Sequence, residues 1–199
     1  MSVNSKIKFD RTLALEAAML VFWKKGFAGA SLTDLTEAMG INKPSMYATF
    51  GNKEALFVQA TEHYVQSVDL VHRQFLQQSN TPLKQRLENY LGSVISGQCC
   101  EKSPKGCYIS LCLSEAAGDN VPESALEKIK QVSQFAYDAL VQLFKEDDEA
   151  KKLHLDRDAE LNARFLMTLL NGTAGMARAG NKDTELKPLL AFALKGLGL

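Results

Sequence analysis

Residues 22–57 read FWKKGFAGASLTDLTEAMGINKPSMYATFGNKEALF, and the punctuation of this stretch decides the fold. Gly26, after Lys24 and Lys25, stops a helix that begins near Asp10, a side chain suited to the N-cap. Ser31-Leu32-Thr33-Asp34 has the spacing of a capping box in its Asp form, and opens a short helix ending at Met39-Gly40. Asn42 caps a third helix with Pro44 in its first turn, where a missing N–H costs nothing, and Gly51 ends it. Asn52 then caps a longer helix that starts at Lys53 and reads without a break to about Gln78. Three short helices with Gly40-Ile41 between the second and third have helix-turn-helix spacing. Gly40 suits the left-handed conformation of a tight turn, and Ile41 plugs the corner. The first turn of the third helix carries Lys43, Pro44, Ser45 and Met46, whose size suits base edges in a major groove. The same spacing also fits a plain three-helix bundle that touches no DNA.

Outward from this stretch the pattern stays helical. In the first helix Leu13, Ala17, Leu20 and Val21 read as the apolar stripe, widened by Phe22 and Trp23. Further helices are expected from Pro82 to about Gly97, Cys107 to Ala117, Pro122 to Glu146, Asp156 to Ala179 and Thr184 to Leu197. Gly118-Asp119-Asn120 would stop the second of these, and Cys99 to Gly106 reads as a polar loop. No run alternates apolar and polar residues, so the chain is expected to be all-α, with about nine helices.

Composition narrows the functional classes. The chain has 199 residues, 46% hydrophobic and 23% charged, which is globular usage. No stretch reaches the roughly 18 apolar residues of a membrane helix. Formal net charge is zero, which excludes coating of nucleic acid along the whole length and leaves room for a small binding part. Up to Ala60 seven cations face five anions. The first eight residues have no apolar stretch behind them, and Cys99, Cys100, Cys107 and Cys112 crowd one segment, so a reducing, cytoplasmic setting is expected. No GxxxxGK, GxSxG or HExxH occurs, so neither a catalytic centre nor a cofactor is expected. His63, His72 and His154 form no metal spacing. His63 and His72 are nine positions apart, on helix faces about 180° from each other.

The stretch from Phe22 to Phe27, the box at Ser31 to Leu35 and the run from Met39 to Phe57 together resemble the TetR/AcrR family of bacterial transcriptional repressors, over about the first 65 residues. Gly106-Cys107-Tyr108-Ile109-Ser110 resembles, more weakly, a ligand domain of one branch. The resemblance implies an all-helical chain with a DNA-binding domain at 1–54 and a ligand-binding and dimerisation domain at 55–199. It implies that Ser31 and Thr33 hold phosphate at a helix start, that Tyr47 and Lys53 grip the backbone, that Lys43, Pro44, Ser45 and Met46 form the base-reading turn, and that Asn42 and Thr49 are among the DNA-binding residues. Thr49 stands where the family often has His or Tyr. Lys43 is the single cation of the third helix. Met46 either touches a thymine methyl or packs inward. Lys6 and Lys8 form either a basic arm or a frayed terminus.

In the second half the resemblance implies a ligand pocket between the middle helices. The candidates are Tyr64, Val68, Tyr90, Cys107, Tyr108, Leu111, Phe135 and Phe165, each of which also reads as ordinary core. No charge stands out inside the apolar stripes, so a small, hydrophobic or weakly polar inducer is expected. Gly172, Gly175, Met176 and Ala179 on one helix, and Leu189, Leu190 and Phe192 on the last, are expected at a homodimer interface. Two-fold symmetry is what a palindromic double-stranded operator requires. The four cysteines lack zinc spacing. They are either small packing residues or a redox, electrophile or soft-metal sensor. In the sensor reading Cys107 is the reactive thiolate, favoured by a helix start and by Lys105. A helical adaptor with a relic helix-turn-helix is the remaining class.

Overall fold

The computed structural model describes residues 10–116 and 121–199, all helix, turn and loop. Lys6, Lys8 and the helix stop at Gly118-Asp119-Asn120 lie outside the described residues. The helices are α1 Arg11–Gly29, α2 Leu32–Met39, α3 Lys43–Phe50, α4 Lys53–Tyr64, α5 Leu70–Arg73, α6 Leu83–Gln98, α7 Tyr108–Ala116, α8 Glu123–Glu146, α9 Asp148–Lys152, α10 Ala159–Arg178, α11 Asp183–Leu186 and α12 Pro188–Gly196. Among the described residues three of the twelve, α5, α9 and α11, are single turns of four or five residues, so nine carry the architecture there.

The capping residues act as their chemistry requires. Asp10 accepts the N–H of Thr12 at 2.8 Å. Ser31 and Asp34 close a reciprocal capping box. Asn42 accepts from Ser45 N–H at 2.9 Å, and Asn52 from Ala55 N–H at 2.8 Å. Each satisfies an amide that the helix itself leaves unpaired. Gly40 closes α2 at φ 66°, and Gly26 breaks α1 at φ 73° with three residues of helix beyond it.

Two expectations need correction. The buried face of α1 is Ala14, Leu15, Ala18, Met19, Phe22 and Trp23, while Leu13 is 63% exposed and Ala17, Leu20 and Val21 are half-buried. The apolar residues of α1 outnumber the positions on one face, so the stripe was drawn too early by about one residue. The helix from Lys53 is also not uniform. A π-helical turn, Val65–Asp69, separates α4 from α5, and a 3-10 turn, Gln74–Gln77, ends the run.

Two hydrophobic cores hold the chain. The first runs through α1, α2, α3, α4, α7 and the start of α8. It contains a chain of aromatic contacts: Phe22–Phe57 at 5.0 Å, Phe57–Tyr108 at 5.9 Å, Tyr108–Tyr64 at 5.0 Å and Tyr64–Trp23 at 5.1 Å. Burying each such ring stabilises by about 1.5–3 kcal/mol. This core crosses position 54, because α4 packs against α1 on one side and α8 on the other. The second core joins α6, the end of α8, α10 and α12 through Leu87, Leu91, Ile95, Phe144, Leu166 and Leu194. Long α8 belongs to both cores, with Ile129 in the first and Phe144 in the second.

Candidate nucleic-acid interface and ligand cavity

The outward face of α3 follows from what its inward face buries. Met46 and Phe50 are buried, at 0% and 3% exposure, and fix the helix against the first core. Helical spacing then turns Lys43, Pro44, Tyr47 and Ala48 to solvent, and all four are exposed. Tyr47 is 48% exposed, while Ser45 and Thr49 are half-buried. Met46 was expected among the base-reading residues. Its complete burial corrects that, because the side chain fills the core under α3. Ala48 was missed, although its place four residues after Pro44 marked it. Ser31 and Thr33 are exposed at the start of α2, beside free helix-end amides. Asn42 is exposed and occupied as the cap of α3.

Cations around this face are held by the fold. The Lys53 ammonium lies over the Phe27 ring, 4.5 Å from its centre. Burial lowers its pKa from the usual lysine value, and the nearby Glu115 carboxylate opposes the shift. Lys25 pairs with Asp34 at 2.6 Å, and together with Ser31 it brings the Asp34 carboxyl down to about 2. Arg11 lies over the Phe50 ring at 5.1 Å and donates to Gln59.

A second feature lies above. A small cavity, about 80 Å³, opens between α1, the π turn, α6, α7, α8 and α10. Of the expected ligand residues, Tyr64, Val68, Tyr90 and Cys107 line it. Tyr108 does not: it is fully buried in the first core, with its hydroxyl 2.9 Å from Thr61 Oγ1. Leu111 is half-buried and outside the wall. Phe135 and Phe165 are 55% and 43% exposed and face away. Phe135 instead carries the Arg73 guanidinium 4.2 Å above its ring.

The cavity wall is more polar than expected. Asp69 and His72 both line it. Asp69 pairs with the buried Arg73, and burial raises its pKa against the pull of that cation. His72 Nδ1 lies 2.9 Å from Ser93 Oγ, and burial lowers the imidazole pKa. The three residues at spacing i, i+3 and i+4 were the signal, and reading each histidine alone concealed it. Trp23, from the DNA-binding end, also lines the cavity.

The thiols are ordered differently from the expectation. Cys107 Sγ lies 3.7 Å from the Tyr64 hydroxyl, and burial raises its pKa above the usual thiol value despite the helix start. Burial also raises Cys99 and Cys112. Cys100 alone is lowered, by the backbone N–H of Lys102 and the Ser103 hydroxyl. Among the described residues no three metal-ligating side chains converge, and no helix is long and apolar enough to cross a membrane.

Comparison with known proteins decides the family. The model for the N-terminal part of bacterial regulatory proteins of the tetR family matches residues 14–60. Over the whole fold, a cysteine-substituted form of the TetR-family regulator CifR, solved with 26-base-pair double-stranded operator DNA, is 30% identical with a TM-score of 0.81. The match covers 94% of this chain and 97% of that one. The chain belongs to the TetR family. It is also 28% identical over 190 residues to the transcriptional repressor ComR of Escherichia coli, covering 94% of this chain and 88% of ComR. The repressor BdcR of the same species is 26% identical over 191 residues, with the same coverage.

As a TetR-family regulator the chain is a DNA-binding transcriptional repressor by kind, and α2–α3 is its helix-turn-helix. The residues expected at a dimer interface divide. Gly172, Gly175 and Met176 lie exposed on α10 and Ala179 at its C-cap, as do Leu189 and Phe192 on α12, Phe192 at 81%. Leu190 is the exception, at 7% exposure in the second core beside Gly92. Helical spacing turned it inward because its neighbours Leu189 and Phe192 face out. Leu161, 64% exposed, and Phe165 continue the α10 stripe about three and two turns before Gly172.

Proposed function

We propose that this protein represses transcription as a cytoplasmic homodimer that binds a palindromic operator and is released by a small, largely apolar molecule. The observation that carries the reading is the exposed face Lys43-Pro44-Tyr47-Ala48 on an α3 capped by Asn42 and anchored by the buried Met46 and Phe50. The likeness to CifR, solved on operator DNA, supports it. In this reading Ser31, Thr33, Tyr47 and Lys53 hold phosphate, and Lys43, Pro44 and Ser45 read bases from residues 1–54. Residues 55–199 carry the ligand site and the dimer face of Gly172, Gly175, Met176, Ala179, Leu189 and Phe192.

Release is a population shift. The competent dimer holds its two α3 helices about 34–36 Å apart, one turn of DNA. A ligand in the cavity favours a form in which α4 and its π turn are tilted and that spacing is lost. It acts only through its differential affinity for the two forms. A mobility shift with the protein's own upstream DNA tests the first half. Binding that is absent, or that does not weaken with added salt, would end this reading, since phosphate contacts release counterions.

A second reading, release by thiol modification at Cys107, draws on one observation: that thiol lines the cavity. Its raised pKa predicts slow labelling, with Cys100 reacting first. Full modification of Cys107 with unchanged operator affinity would remove it.

A further inference from the structure

Tyr90 lies on α6, is 3% exposed, and lines the cavity but neither of the two open grooves on the surface. Its hydroxyl has no hydrogen-bond partner among the described residues. The unpartnered side-chain atoms that are wholly enclosed belong to Trp23, Asp69, Arg73, Arg86 and Asp156, and the Tyr90 oxygen is not one of them. With the rest of the residue buried, the surface that this oxygen keeps opens into the cavity. The Tyr64 hydroxyl, by contrast, is engaged with Cys107 Sγ. Burial raises the Tyr90 pKa, so the O–H is intact. A phenol oxygen shares its lone pair with the ring, which makes it a better donor than acceptor. A buried donor left unpaired is unfavourable, so what completes Tyr90 must present an acceptor. That acceptor is uncharged. No lysine or arginine lines the wall to meet a carboxylate. The Asp69 carboxylate is matched by Arg73, and burial favours neutral His72. A charged ligand would enter without a counter-charge, which is strongly unfavourable. Much of the remaining wall is apolar, with Val94, Leu113, Val132, Met167 and Leu170. At about 80 Å³ the cavity is well below the roughly 300–1,000 Å³ of a drug-sized pocket, so the occupant has few heavy atoms.

We propose that the cavity takes a small, uncharged molecule with an apolar body and one oxygen acceptor, and that the Tyr90 hydroxyl donates to that oxygen. This deepens the ligand-release reading above and rests on it. Tyr90 belongs to the second core, whereas Trp23 and Tyr64 in the same wall belong to the first. A molecule held by Tyr90 therefore sits at the seam between the two cores, beside the π turn that follows α4.

The test pairs cyclopentanone with methylenecyclopentane, which has the same shape but no oxygen. Both are titrated by calorimetry into the full chain and into Tyr90→Phe, which lacks only the hydroxyl. The ketone-to-alkene affinity ratio should fall about tenfold in Tyr90→Phe, the weight of one net hydrogen bond. An unchanged ratio, or no ketone binding to the wild type, overturns the proposal. Without ligand, Tyr90→Phe should melt no lower than the wild type, since no bond within the protein is lost. A clear fall would mean that the hydroxyl already has a partner, and overturns the proposal too. Infrared absorption reads the bond itself. The carbonyl stretch of carbon-13-labelled cyclopentanone bound to the wild type should lie below its position in hexane, and should return toward that position in Tyr90→Phe. Equal positions in the two proteins overturn the assignment. Operator affinity is measured alongside. If the ketone passes these tests while leaving operator affinity unchanged, the Tyr90 assignment stands and the ligand-release reading falls.

Discussion

Glu115, the penultimate residue of α7, clasps the DNA-binding end. Its carboxylate accepts the backbone N–H of Phe27 at 2.7 Å and of Ala28 at 3.0 Å. A hydrogen bond to a charged group contributes about 1.5–3 kcal/mol where solvent is excluded, and less where water can replace it. The Phe27 amide is partly buried and the Ala28 amide exposed. Glu115→Ala should therefore cost about 2 kcal/mol, mostly from the first bond. For a chain of this size that lowers the melting temperature by about 4–8 °C. Gly26 makes the argument sharper. Its φ of 73° and ψ of −178° belong to a region open essentially to glycine, and a Cβ there would lie 2.3 Å from Glu115 Oε2. Gly26→Ala thus suffers both backbone strain and collision with the clasp. Removing the carboxylate relieves the collision and leaves the strain. The double variant should fall short of the summed losses by about 1–2 kcal/mol. Thermal unfolding of the four proteins, followed by circular dichroism, measures this cycle. A melting temperature for Glu115→Ala within about 1 °C of wild type, or strict additivity with Gly26→Ala, would refute the reasoning.

Four further outcomes are expected. Lys43→Ala should relax discrimination at one base pair per half-site by about 1–3 kcal/mol, whereas Tyr47→Ala should weaken all DNA sequences alike; binding to a set of single-base operator variants separates them. Met46→Ala should lower stability by about 2–5 kcal/mol, and Met46→Leu should leave sequence preference unchanged in the same binding set. Asp34→Asn should reduce stability at neutral pH. The folded carboxyl titrates near 2 against 3.8 when free, so its contribution is present above 3.8 and lost as pH falls through about 2; the two proteins should converge there in acid unfolding. Phe192→Glu, on the outward face of α12, should shift the protein toward monomer in sedimentation and weaken operator binding, with its melting temperature as a monomer little changed.

Local chemistry was legible in the chain itself. Asp10, Ser31, Asn42 and Asn52 each cap the helix they precede, because a cap needs only a side-chain oxygen and the next three amides. Gly26, Gly40 and Gly51 sit at positive φ where the chain turns, for an equally local reason. Those marks are dense between Asp10 and Phe57, and the helix-turn-helix could be drawn from them. They also placed most of the later helices within a few residues.

What faces what was decided by packing between distant segments. Met46 and Leu190 differ from their exposed neighbours only in angle around the helix, and which angle meets the core depends on helices far away in sequence. The cavity unites Trp23 with Asp69, His72 and Cys107 from segments far apart in sequence, a grouping with no spacing rule to announce it. The π turn before Asp69 shifts register without any glycine or proline to mark it. The order of the thiols likewise followed burial. Cys107 precedes a helix, which favours a thiolate, yet desolvation in the cavity wall outweighs the helix end. The sequence by itself therefore determined where helices start, stop and turn, since those are settled within about four residues. The tertiary structure decided which side chains are hidden, charged or free to meet a ligand, because burial is a property of the assembled neighbours.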